Sequence, residues 1–122
     1  MAQEITFTYS GGIANGSFKD SYPSESIKID QTTLGGEMGV VAVGTAETDM
    51  PVGSVTTPGL LWVKNLDATN YVQWGPKNAG VMVVLGRLKP GQVAVVYLDP
   101  AVTVRWKANT APVNVQIKLY QA

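Results

Sequence analysis

The chain contains no cysteine and no histidine. The first absence removes disulfides, thiolate nucleophiles and Cys-ligated zinc, and leaves the redox compartment open. The second removes the usual general base, the usual zinc ligand and the usual switch near neutral pH. Charge is sparse: 15% of residues are charged, against about a quarter in typical domains, and nine basic residues balance nine acidic ones. No run of Lys or Arg occurs, and the arginines are Arg87 and Arg105. A protein that lives on phosphate contacts needs a basic patch, so direct nucleic-acid binding is not expected. Apolar runs are short: Val81–Leu85 and Val93–Leu98 are strand-sized, far below the ~18 residues of a membrane span. Met1-Ala2-Gln3-Glu4 has neither a basic n-region nor an apolar run, so neither a signal peptide nor a membrane partner is expected.

What is present reads as strand. The 122 residues fit one domain, expected to span 1–122 with residues 1–4 as an N-terminal arm. A chain of this size buries roughly two-thirds of its unfolded surface, enough for a core without staples. The low charge has two readings. Either other subunits cover part of the surface, or Thr, Asn, Gln and Gly take the exposed positions of a β-rich chain.

Alternation is the main signal. Ile5, Phe7 and Tyr9 share one face, and Glu4, Thr6 and Thr8 the other. Ser10-Gly11-Gly12 ends that strand, and residues 13–25 read as loop, with Asn15-Gly16 a turn signal and Pro23 a breaker. Ser26–Asp30 is a short strand. Gly39–Gly44, apolar on both faces, reads as a central strand. Thr45–Asp49 could start one helical turn capped by Thr45, which Pro51 and Gly53 stop. Gly59–Val63 and Tyr71–Trp74 read as paired strands around a polar turn, with a loop at 75–80. Val81–Leu85 and Gln92–Leu98 follow, divided by the Pro90-Gly91 turn, where Pro presets the first central residue of a type II turn and Gly supplies positive φ at the second. Val102, Val104 and Trp106 face inward, as do Val113, Val115, Ile117 and Leu119. These nine segments predict an all-β chain: a single antiparallel β-sandwich or jelly-roll-like barrel of 8–9 short strands.

Candidate chemistry is thin. Glu47 and Asp49 lie close in sequence, and paired carboxylates can serve glycoside hydrolysis, but a solvated loop explains them as well. Asn65, Asp67 and Asn70 offer oxygens to a hard cation, without the glycine and distal glutamate of the twelve-residue calcium loop. Capping of their own turn is the plainer reading. No phosphate or dinucleotide fingerprint surrounds the paired glycines. No catalytic residue, cofactor or metal is therefore assigned. Of the aromatic residues in strands, Trp62 shares a face with Lys64 and so points outward, while Tyr71 is one residue out of phase with Val72 and Trp74. Arg105 points outward on its own strand. Trp62, Lys64 and Arg105 make up the expected interaction surface, and a row of exposed rings is also how sheets hold glycans.

Three stretches carry a resemblance: Lys64-Asn-Leu-Asp-Ala-Thr-Asn-Tyr-Val72, Leu88-Lys-Pro-Gly-Gln92 and Lys107-Ala-Asn-Thr-Ala-Pro-Val113. Together with Val43-Gly-Thr-Ala-Glu-Thr48 they resemble small virion proteins of tailed bacteriophages. The likeness covers about the C-terminal half and rests on turns. It implies a β-sandwich that docks on a head, neck or tail by shape and hydrogen bonding, with no catalytic or ligand residues to carry over. The expectation is a capsid decoration (cement) protein made in the host cytoplasm, residing in the virion, forming homo-oligomers and contacting the major capsid protein. The alternative is a carbohydrate-binding or host-attachment module of a fibre.

Overall fold

The computed structural model describes residues 3–122. The fold is all-β and antiparallel, as expected, with eleven strands and no helix among the described residues. The backbone forms two compact units, Met1–Thr33 and Leu34–Ala122.

The first unit is a hairpin of β1 (Ile5–Asn15) and β2 (Phe18–Ile29). Residues 13–25, expected as loop, are thus almost entirely strand. Asn15 pairs with Phe18, and φ is +59° at Gly16, which suits a two-residue turn with glycine first. Pro23 does not break the strand. Between the Tyr9–Glu25 and Gly11–Tyr22 pairs β1 advances two residues and β2 three, so a bulge absorbs Pro23, which has no N–H for a ladder. Gly11-Gly12 continues β1 because a Cβ at Gly11 would collide with the Tyr22 ring. The Thr8 and Ser26 hydroxyls bond at 2.9 Å, and Tyr9 donates to Glu25 Oε2 at 2.7 Å. Of the expected arm at 1–4, residues 1 and 2 lie outside the described residues. Gln3 and Glu4 are held at the hairpin base: Gln3 N–H donates to Asp30 Oδ1, and Gln31 N–H to Glu4 Oε2.

The second unit is the sandwich. One sheet has the order β3 (Gly36–Val43), β11 (Val113–Gln121), β5 (Pro58–Asn65), β9 (Val93–Tyr97). The other runs β4 (Thr48–Asp49), β10 (Val104–Ala108), β6 (Val72–Asn78), β7 (Val81–Met82), with β8 (Gly86–Leu88) also on β6. The inward faces meet in one core that includes Val43, Leu61, Val72, Trp106 and the four aliphatics of β11. The space left between the sheets is about 10 Å³, near the volume that a single water's centre needs. Burying each of the β11 aliphatics contributes about 1.5–3 kcal/mol.

Five expectations change here. β5 and β6 are not partners: β5 pairs with β11 and β9, and β6 with β10, β7 and β8, so residues 66–71 cross from one sheet to the other. β3 is an edge strand, and its Val40 is exposed. Thr45–Asp49 forms no helical turn; its last two residues pair with Trp106 and Arg105 as β4. β6 runs through Gly75-Pro76, where a loop was expected. Pro76 has no N–H to give, but its carbonyl still accepts the Val83 N–H at 2.8 Å. The apolar run at 81–85 is not a continuous strand: Val83–Leu85 bridges β7 and β8, with only Met82 buried.

Candidate interaction surface

Residues 65–70 make a closed hydrogen-bonded unit. Asn65 ends β5 and is fully buried. Its Nδ2 donates to the Asn70 carbonyl at 2.9 Å and the Leu88 carbonyl at 2.8 Å, and its Oδ1 accepts the Asp67 N–H at 2.7 Å. Asp67 Oδ2 accepts the backbone N–H of Asn70 at 2.6 Å and of Thr69 at 3.0 Å. Those bonds, Asn70 first, hold the Asp67 carboxyl below its ordinary 3.8. Asn70 Oδ1 accepts the Thr110 hydroxyl at 2.8 Å. The oxygens that could face a cation are turned to the protein's own donors, which favours the capping reading. Beyond it, Asn65 ties the crossover to β8. The Pro90-Gly91 turn behaves as expected: φ is +78° at Gly91, and Gln92 N–H donates to the Lys89 carbonyl at 3.0 Å.

Glu47, Asp49 and Arg105 form a second cluster. Arg105 Nε donates to Asp49 Oδ1 at 2.6 Å, and Nη1 to Glu47 Oε1 at 2.8 Å and to the Gly80 carbonyl at 2.9 Å. Glu47 Oε1 also accepts the Met82 N–H at 2.6 Å, which pins β7. The guanidinium holds both carboxyls below their ordinary 4.5 and 3.8, and they in turn, Glu47 first, push Arg105 above its ordinary value. Carboxyls so held stay ionised near neutral pH, whereas a glycosidase acid needs a raised pKa. Among the described residues no group of three or more Asp and Glu gathers as for a metal ion.

The expected surface residues fall on different sheets. Trp62 and Lys64 lie on β5, and Arg105 on β10, engaged by its acids. Trp62 and Lys64 are half-buried and point outward, and Lys118 of β11 stands over the Trp62 ring, 5.2 Å from its centroid. Pairing register puts Met38 beside Lys118, Val40 beside Gln116, Val95 beside Trp62 and Val93 beside Lys64 on this same outer face. Met38, Val40, Val93 and Tyr97 are exposed there. The face carries two lysines and no acid, with apolar side chains where water-facing strands usually place Thr or charge.

A second apolar area is formed by Val83, Val84 and Leu85, where three consecutive aliphatics are exposed. An open cleft of about 310 Å³ lies beside them, lined by Leu85, Trp74, Val96, Leu98 and Val102 among others. Runs of exposed aliphatics are a liability unless something covers them. Trp62 and Lys64 were expected on this surface, whereas the exposure of Val40, Val93 and Val83–Leu85 was not, because an apolar run does not say which side faces water. No helix of the described residues is long and apolar enough to cross a membrane.

No family model, no curated protein and no solved structure matches this chain.

Proposed function

We propose that this protein is a non-enzymatic virion structural protein of a tailed bacteriophage, a capsid decoration protein that stabilises the head through lattice contacts. The observation that carries this reading is the apolar outer surface of the sandwich: Met38, Val40, Val93 and Tyr97 on one sheet, and Val83–Leu85 beside the other. Surfaces of this kind suit adhesion to other protein, and the turns that resemble phage virion proteins point to which. Each copy adds a modest interface, and repetition over a shell multiplies it. The major capsid protein is the proposed partner, and the virion the proposed location.

Purified protein mixed with heads that lack it should co-sediment with them and saturate. Heads and tails that both leave it in the supernatant overturn the reading. The carbohydrate-binding reading keeps one specific support, the outward Trp62. Against it, Lys118 already occupies a face of that ring. Tryptophan fluorescence titrated with a glycan panel should stay flat. Saturable quenching that Trp62→Ala abolishes would favour the glycan instead.

A further inference from the structure

We propose that the distal half of the β1–β2 hairpin docks in trans on the outer face of the four-stranded sheet of a second copy. The inference needs no capsid, though it draws on a sheet face that also supports the virion reading.

The hairpin has two unlike faces. Cross-strand pairing puts Ile13 opposite Asp20, Asn15 opposite Phe18 and Tyr9 opposite Glu25. Tyr22 belongs with Tyr9, their ring centroids 6.0 Å apart. One face therefore bears Tyr9, Tyr22, Ile13 and Phe18 together with the acids Asp20 and Glu25, and no base. Lys19 and Lys28 pair with Ala14 and Thr6 on the opposite face. Towards the turn this apolar face is open to water: Ile13 is 52%, Tyr22 53% and Phe18 63% exposed. A two-stranded ribbon alone is marginal in water, and a cluster of large exposed side chains near its tip gains most from a partner.

The outer face of the sheet β3–β11–β5–β9 is its complement. It offers Met38 at 63%, Val40 at 60% and Tyr97 at 58% exposure, with Lys64 and Lys118 and no acid. Over whole units the same asymmetry holds. Residues 1–33 carry two lysines against four carboxylates, net −2, and residues 34–122 carry seven cations against five carboxylates, net +2. Opposite signs favour hairpin-to-sheet contact between copies and disfavour hairpin-to-hairpin or sheet-to-sheet contact. The contact joins two different surfaces, so copies either exchange hairpins in a closed pair or continue into a ring or lattice.

Sedimentation velocity from about 10 µM to about 1 mM reads this directly, since a small contact of this kind gives weak association. The wild type should associate increasingly with concentration. Phe18→Asp, Val40→Asp and the charge reversal Asp20→Lys sit at exposed positions, so near-ultraviolet circular dichroism should stay native. Each should weaken association at least about tenfold, equivalent to ~1.4 kcal/mol. An equimolar mixture of Phe18→Asp and Val40→Asp should recover association, because one copy supplies an intact sheet face and the other an intact hairpin. A wild type monomeric throughout, variants that associate like the wild type through some other surface, or a mixture no better than its components each overturn the proposal. None of these outcomes bears on head binding, so the two readings fail separately.

Discussion

Replacing Asn65 by alanine removes three hydrogen bonds at once from a fully buried position. Each intramolecular bond contributes about 1 kcal/mol net, and a buried partner left bare costs about 1–3 kcal/mol. The Leu88 carbonyl meets Nδ2 in a buried setting and has the most to lose. With the small void left by the missing amide, the sum is about 3–5 kcal/mol. That is a large fraction of the ~5–15 kcal/mol that stabilises a domain. For a chain of this size the melting temperature should fall by about 10–25 °C. Urea and thermal unfolding followed by tryptophan fluorescence measure both quantities. Asn65→Asp sharpens the test: it keeps the acceptor for Asp67 N–H and sets a carboxylate against the Asn70 and Leu88 carbonyls. Such a group has a folded pKa raised above its unfolded value, so the native state binds more protons. The variant should gain stability as pH falls from 7 toward 4. A loss under about 1 kcal/mol for Asn65→Ala, or no pH dependence for Asn65→Asp, refutes Asn65 as the tie between the crossover and β8.

The wild type should behave oppositely in acid. Glu47, Asp49 and Asp67 have folded pKa values below their ordinary ones. Their contribution is full above about pH 5 and is lost as pH falls through the folded values, so the melting temperature should be flat from pH 7 to about 5 and drop below about 4. Asp67→Asn should shallow that drop, and an unchanged acid limb would count against the Asp67 turn. Gly75→Ala places a Cβ on the backbone carbonyl of Val83, so it should destabilise by about 3 kcal/mol or more and shift the Val83–Leu85 bridge; near-wild-type urea unfolding would contradict this packing. Trp106→Ala opens the core between the sheets and should cost about 3–5 kcal/mol in the same assay.

How much of this was legible varies by segment, for physical reasons. The inward face of β11 could be read directly, because strict alternation on a half-buried strand has one solution. Residues 10–25 gave no such pattern: both sides of the hairpin's distal half meet water, and the pairing is carried by a bulge at Pro23 and by Gly11 yielding to Tyr22. The Val81–Leu85 run reads as a strand, yet it breaks after Met82 and its aliphatics are largely exposed, a choice made by Gly75 and Pro76 on the neighbouring strand. Six turn-prone residues between two strands fit a hairpin loop or a crossover equally well, and the partners that decide, β11 and β10, lie more than thirty residues away. For the surface, Trp62 and Lys64 were legible as outward residues. Lys118, Met38 and Val40 join them only through pairing register, and Arg105 proved to serve the Glu47–Asp49 cluster on the other sheet.

The central claim, adhesion to a phage head, is tested most directly by counting copies bound to purified heads that lack the protein. The account predicts saturation at a fixed number per head that matches repeated positions of the shell lattice. Absence of binding, or uptake that rises without saturating, would contradict it.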